Sequence, residues 1–208
     1  MFDVMPLVKA PLVGAVVASA VMALGAWRAP RPWRRRACWS WAVGAGVLAA
    51  SGATDQWPHW PALEDRARFL TLLLPLTLLV ETVAPAMSSR GVACTFRIAL
   101  VIIAAPILLH NSVYLADLNG HGSAEWSRTE VASILVALAA LLAVVWAGLS
   151  GLQSRTSTRE VSWLLLLDAM ATAVTVMLSG YYRAGLLGLG LAGALAGAAI
   201  VSRWTQPQ

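Results

Sequence analysis

The sequence predicts an all-α, polytopic integral membrane protein, a bundle of about seven transmembrane helices with its N-terminus outside and its C-terminus inside. Three observations support this: a low charge content, a series of long apolar stretches and an uneven distribution of arginine. Of the 208 residues, 59% are hydrophobic and 12% are charged, whereas soluble domains carry about 25% charged residues. The composition therefore favours a chain surrounded by lipid.

Seven apolar stretches are long enough to cross about 30 Å of hydrocarbon as α-helices. They cover residues 6–27, 37–54, 68–87, 98–116, 131–152, 161–180 and 185–202. The connections between them are short, so consecutive helices are expected to be antiparallel neighbours. Residues 1–208 are therefore predicted to form a single transmembrane helical domain.

Basic residues predict the orientation of these spans. With the N-terminus outside, the inner segments contain ten of the fifteen basic residues and a single acidic residue, Glu160. The ten are Arg28, Arg31, Arg34, Arg35, Arg36, Arg90, Arg97, Arg155, Arg159 and Arg203. Because Lys and Arg are enriched on the cytoplasmic side of membrane proteins, this distribution predicts a multi-pass protein of the cell (inner) membrane. It also accounts for the net charge of +5 without a nucleic-acid partner.

Tryptophan supports the same spans. Nine of the ten tryptophans lie at or near a predicted boundary between hydrocarbon and water, and only Trp146 lies well inside a span. Tryptophan is enriched at membrane interfaces because its ring is apolar and its N–H is polar. The WPHWP segment at 57–61 is therefore interpreted as an anchor at the outer surface.

Two acidic residues, Glu81 and Asp168, fall inside predicted spans. Asp168 belongs to a polar stripe with Thr172, Thr175 and Ser179, spaced as one face of a helix. Glu81 and Asp168 are both predicted about 4 Å to the cytoplasmic side of the membrane centre. If their helices touch, the two carboxyl groups would share a proton, which raises the pKa of one of them.

No Lys or Arg is predicted at the depth of these two acids, so no intramembrane salt bridge is expected within the chain. Two interpretations remain open. The pair is either a proton or cation site, or two protonated acids that hydrogen-bond between packed helices.

A second polar cluster is predicted in the outer half of the fourth span. It consists of His110, Asn111, Tyr114 and Asp117. The three histidines of the chain, His59, His110 and His121, are all predicted in the outer half or outside, and are weak candidates for a metal site. Only the ligand type and the shared side support that site, because the spacing matches no standard motif. Pro106 in this span and Pro75 in the third each remove one backbone hydrogen bond.

The last span is rich in glycine, and Gly193 and Gly197 form a GxxxG pair. Small residues at this spacing allow another helix to approach closely. The sequence leaves open whether that helix belongs to the same chain or to a second subunit.

These features predict a non-catalytic integral membrane protein, a helical-bundle subunit of a homo-oligomer or a larger membrane complex. Its expected partners are the lipid bilayer and other membrane subunits, and no cofactor is indicated. The alternative is a small proton- or cation-coupled transporter or channel that uses Glu81 and Asp168. An enzyme built on the outer His and Asp residues is a third hypothesis, which no catalytic motif supports.

Overall fold

The computed structural model describes residues 5–28, 32–57, 60–61, 64–84, 90–109, 127–155 and 158–205, and every regular element in these ranges is helical. The elements are α1 (Met5–Arg28), α2 (Pro32–Ala53), α3 (Asp65–Arg68), a π-helical turn (Phe69–Leu73), α4 (Leu74–Val83), α5 (Arg90–Leu109), α6 (Arg128–Arg155), α7 (Thr158–Leu178) and α8 (Tyr182–Thr205). The prediction of an all-α chain is thus confirmed for the described residues. Each predicted span coincides with one of these helices or with α3 to α4, apart from residues 85–87 and 110–116, which lie outside the described ranges.

The chain divides into two compact units. Unit 1 consists of Met1–Trp57 and Arg155–Gln208, and unit 2 consists of Pro58–Ser154. Unit 1 therefore combines the two ends of the chain, and unit 2 is the continuous middle. The single domain predicted over residues 1–208 stays a prediction.

In unit 1, α8 packs against α1, α2 and α7, and α1 also packs against α2. Helix directions follow from close contacts at glycines. Gly193 and Gly197 of α8 lie against Pro11 and Ala15 of α1 respectively, so these two helices run parallel. Contacts of Gly190 with Ala50, and of Gly46 with Ala194, show that α2 is antiparallel to α8. Contacts of Gly185 with Met177, and of Gly188 with Ala173, show the same for α7.

Small residues predominate in the interior of unit 1, which also contains Met22, Val47, Leu186 and Leu195, and many large apolar residues lie on its surface. The buried alanines are Ala10, Ala18, Ala42, Ala50, Ala173, Ala192, Ala194 and Ala198. Large side chains that remain exposed include Leu12, Val16, Leu24, Leu164, Leu167 and Leu178. The alanines and glycines of the interior allow close backbone approach, and many of the bulky apolar groups project away from it.

Helices α2 and α7 both end in a Schellman motif. After α2, Asp55 adopts a positive φ of 54° and the amide of Gln56 donates to the carbonyl of Ser51 at 2.8 Å. After α7, Gly180 has a φ of 91° and the amide of Tyr181 donates to the carbonyl of Val176 at 3.1 Å. Each motif pairs carbonyls that the last helical turn leaves without a partner.

In unit 2, α3, the π-helical turn and α4 form one continuous helical segment that packs against α5. The widened turn ends at Leu73, two residues before Pro75, and the amide of Leu74 donates to the carbonyl of Phe69. Pro75 has no amide hydrogen and its ring crowds the carbonyl four residues earlier. The π-helical turn contains Thr71, whose carbonyl the ring would crowd in a regular α-helix.

Two helical segments, Met5–Gly25 and Tyr182–Trp204, are long and apolar enough to cross a membrane, as judged over the described residues. Both belong to unit 1, where α1 and α8 pack together. Shorter apolar segments occur at Cys94–Ala104, Thr129–Val145 and Trp163–Leu178. The structure therefore supports two of the seven predicted spans by length and apolarity.

Candidate functional site

The carboxylate of Glu81 is bound by a guanidinium group. Glu81 lies near the end of α4, and Arg97 lies in the second turn of the neighbouring α5. Arg97 Nε donates to Glu81 Oε1 at 2.7 Å, and Arg97 Nη2 donates to Oε2 at 2.7 Å. Two parallel hydrogen bonds of this kind match the planar fork of arginine to the carboxylate.

This ion pair corrects the expectation that Glu81 has no basic partner in the chain. Arg97 was assigned to an inner segment, one residue before the predicted fourth span. In the structure, α5 begins at Arg90, so Arg97 is well inside a helix and at the level of Glu81. The side chains of Glu81 and Arg97 are about a third exposed, at 30% and 31%. The pair is therefore partly accessible rather than sealed in a core.

Asp168 lies in unit 1, and Glu81 lies in unit 2. The proposed sharing of a proton between these two acids stays a prediction. What the structure does describe is the environment of each acid by itself, and the two environments differ. Glu81 is held by a cation, whereas Asp168 is exposed on α7.

The polar stripe of α7 faces away from α8. Asp168, Thr172, Thr175 and Ser179 are all exposed, whereas Ala173 on the opposite side is buried. Thr175 donates to the carbonyl of Ala171 at 2.9 Å, and Ser179 donates to the carbonyl of Thr175 at 2.9 Å. These two hydroxyls are satisfied within their own helix and do not need an external partner. The need for water or protein beside this stripe therefore comes mainly from the Asp168 carboxyl group.

Gly193 and Gly197 are contact points between helices of the same chain. A Cβ atom at either position would collide with the backbone of α1, at Pro11 or Ala15. We call this line of contact between α1 and α8 the seam. The seam is also close on the α1 side, because a Cβ at Gly14 would lie 2.6 Å from the carbonyl oxygen of Gly190. The GxxxG pair is thus used within unit 1, and it gives no separate support for a second subunit.

The outer cluster of His110, Asn111, Tyr114 and Asp117 lies outside the described residues, as do His59 and His121. The metal site proposed on these histidines stays a prediction. Among the described residues, no group of three or more His, Cys, Asp or Glu side chains is arranged to hold a metal ion. Both cysteines, Cys38 and Cys94, are free thiols of intermediate exposure.

Two polar features were missed in the sequence. Arg68, the first residue of the predicted third span, is the last residue of α3 and is only 5% exposed. Its position beside the π-helical turn could not be read from the sequence, because the turn depends on how the chain accommodates Pro75. The second feature is a capping box at the start of α6, formed by Ser127 and Glu130.

The capping box is reciprocal. The amide and the hydroxyl of Ser127 each donate to Glu130 Oε2 at 2.8 Å, and the amide of Glu130 donates to the hydroxyl of Ser127 at 3.4 Å. The two bonds to the Glu130 carboxylate lower the pKa of Glu130 below its usual value. The bond from the Ser127 amide has the larger effect, and the bond from the Ser127 hydroxyl has the smaller one. The sequence signal was present, since SRTE before an apolar run has the spacing of this motif.

No family model, curated protein or solved structure matches this chain. Its function must therefore be inferred from the geometry of its own residues.

Proposed function

We propose that this protein is a non-catalytic integral membrane protein that acts as a helical-bundle subunit of a homo-oligomer or a larger membrane complex. The observation that carries the proposal is the distribution of side-chain size in unit 1. Eight of the twelve buried apolar residues described in unit 1 are alanines, glycines make its closest helix contacts, and many leucine and valine side chains are exposed. In water this arrangement leaves apolar area unburied, which is unfavourable.

Lipid removes that cost. Apolar side chains on the outside of a membrane bundle contact acyl chains, and helices associate through small residues that allow close packing. The buried polar or charged residues among those described are Ser51 and Arg68, and Ser51 donates to the carbonyl of Val47 at 2.9 Å within its own helix. The packed interior of unit 1 thus suits a structural role better than a catalytic one.

The subunit proposal is tested by mild extraction at native expression level into polymer-bounded nanodiscs, followed by light scattering of the size-separated particles. We expect a protein mass that is a multiple of 22.0 kDa, or a second protein at fixed stoichiometry. A protein mass of one chain, with no co-purifying protein, would overturn the subunit proposal. Material that does not sediment with membranes, or that alkaline carbonate releases, would overturn membrane insertion itself.

A second candidate function is a small proton- or cation-coupled transporter or channel that uses Glu81 and Asp168. The observation in its favour is the partly exposed Glu81–Arg97 pair, which places opposite charges between two otherwise apolar helices. In such a protein, protonation of Glu81 would release Arg97, so proton binding and the contact between α4 and α5 would be coupled.

This candidate is tested with Glu81→Gln and Asp168→Asn in proteoliposomes. Each variant should abolish a pH-dependent flux of protons or monovalent cations while the protein still folds and reconstitutes. Thr175→Val is the matched control, because that hydroxyl bonds only within its own helix. Wild-type flux in both acid variants would rule out transport through these residues.

A further inference from the structure

Several arginines of unit 1 lie at the same end of this unit. Because α1 and α8 run parallel while α2 and α7 run antiparallel to α8, the C-terminal ends of α1 and α8 lie at the same end as the N-terminal ends of α2 and α7. We call this the arginine end; its basic residues are Arg28, Arg34, Arg35, Arg36, Arg159 and Arg203. The only acidic residue in the adjoining helical turns that the structure describes is Glu160.

The opposite end of unit 1 has a different charge balance. Among its described residues, Lys9 and Arg183 are basic and Asp55 is acidic. The two ends therefore differ strongly in positive charge.

Helix stability does not explain the placement of arginine at the start of α2. Arg34, Arg35 and Arg36 lie in the first two turns of α2, and α2 has no acidic residue in its first turn. Cations at a helix N-terminus oppose the helix dipole, and the amide groups there also attract anions. An anion bound at the arginine end would interact favourably with both the arginines and the N-terminal amides.

Exposed tryptophans lie at the same end. Trp27 near the end of α1 and Trp204 near the end of α8 are 83% and 84% exposed. Trp163 in the first turns of α7 is also exposed, and the Arg203 guanidinium lies 5.8 Å from the centre of its ring. Tryptophan rings prefer the headgroup level of a bilayer, where an apolar body and a polar N–H are both accommodated.

We propose that the arginine end binds the phosphate-bearing headgroups of anionic phospholipids. Two observations favour a lipid surface over a nucleic acid as the source of phosphate. Exposed tryptophans lie at this end, and exposed leucine and valine side chains lie along the helices between this end and the opposite one. This inference rests on the proposed membrane insertion and adds a preferred lipid class. A topological role alone, in which the arginines only keep this end in the cytoplasm, requires no lipid preference.

The test measures quenching of tryptophan fluorescence by brominated lipids in liposomes of symmetric composition, so that protein orientation does not affect the result. The probes are brominated phosphatidylglycerol and brominated phosphatidylcholine. We expect the wild type to bind phosphatidylglycerol at least about fivefold more strongly, since each arginine near an anionic surface contributes about a fivefold preference. In the triple variant Arg34→Gln, Arg35→Gln, Arg36→Gln, the ratio should fall toward one. The control is Lys9→Gln with Arg183→Gln, which removes two positive charges from the opposite end and should keep the wild-type ratio.

A second measurement uses only the wild type. Raising the salt concentration from 0.1 M to 1 M should reduce the preference, because the Debye length shortens from about 10 Å to about 3 Å. Equal quenching by both lipids at low salt, or an equal loss of preference in the control variant, would overturn the lipid inference. Failure to float with liposomes at all would instead contradict the proposed membrane insertion.

Discussion

At the scale of single residues, the sequence shows that Glu81 needs a partner, but only the packing of α4 against α5 shows which residue that partner is. A carboxyl group in an apolar helix can be recognised from the sequence, and so can its need for a partner. The partner is Arg97, which is sixteen positions later on α5. Its level relative to Glu81 depends on where α5 begins and on how α4 and α5 pack, and hydropathy specifies neither.

Removing one member of this pair should destabilise unit 2. Arg97→Ala leaves a partly buried carboxylate without its cation, and we expect a loss of about 1–2 kcal/mol in free energy of unfolding, between the typical values for exposed and buried pairs. The measurement is unfolding in mixed micelles with increasing SDS.

A double-mutant cycle isolates the pair from other effects. With Glu81→Gln and Arg97→Gln, we expect a coupling energy of about 1 kcal/mol or more. The control cycle uses the contact between Glu64 and Arg66, where the Glu64 side chain is 62% exposed, and should give less than about 0.5 kcal/mol. Equal coupling in the two cycles would contradict the importance of the Glu81–Arg97 pair.

The capping box predicts a pH dependence at the start of α6. Because the folded state lowers the pKa of Glu130, its carboxylate stabilises the helix fully above the usual glutamate pKa, and this stabilisation is lost as the pH falls through the lower folded value. NMR titration of the Glu130 carboxyl carbon should show this lowered pKa. Ser127→Ala should return it toward the usual value, whereas Ser133→Ala, whose hydroxyl donates to the backbone carbonyl of Glu130, should leave it unchanged.

At the scale of helices, close packing in unit 1 depends on glycine. The GxxxG spacing in α8 indicates a close helix neighbour, but many helices could satisfy it. The structure identifies α1 as that neighbour, with Gly14 completing the seam from the other side. Small residues recur at complementary positions on both helices, and this match becomes visible only when the two are paired.

Gly193→Ala should therefore destabilise unit 1. The added Cβ would collide with the backbone of α1 at Pro11, which cannot move aside as a flexible side chain can. Overpacking of this kind costs about 1–3 kcal/mol, measurable as a lower SDS midpoint.

Gly148→Ala in α6 is the matched control, because a Cβ there meets nothing within 4 Å. It should be neutral or stabilising by up to about 1 kcal/mol, since alanine is the better helix former. If Gly193→Ala were as stable as Gly148→Ala, the described contact between α1 and α8 would be wrong. Because the seam is within one chain, neither variant bears on oligomerisation.

At the scale of the whole molecule, the orientation of the helices in a membrane stays a prediction. The parallel arrangement of α1 and α8 is the one expected if these helices are the predicted first and seventh spans, because alternate spans run in the same direction. Six of the ten arginines assigned to the inner side from sequence alone belong to helix ends at one end of unit 1: Arg28, Arg34, Arg35, Arg36, Arg159 and Arg203.

The orientation of α8 can be tested with two single cysteines in a Cys38→Ser, Cys94→Ser background. Tyr181→Cys and Trp204→Cys are at opposite ends of α8 and replace exposed, uncharged side chains. A membrane-impermeant maleimide should label Tyr181→Cys in intact cells and Trp204→Cys only after permeabilisation. Labelling of both positions in intact cells would contradict a membrane-spanning α8 with its C-terminus inside.

The sequence by itself determined that the chain is helical, approximately where most of its helices lie, and which residues carry charge and small side chains. These properties follow from composition and local periodicity, which act over a few residues. The tertiary structure decided that Arg97 neutralises Glu81, that Gly193 and Gly197 contact α1, and that the stripe containing Asp168 faces away from α8. Each of these depends on the rotation and offset of one helix against another, to which residues distant in sequence contribute together.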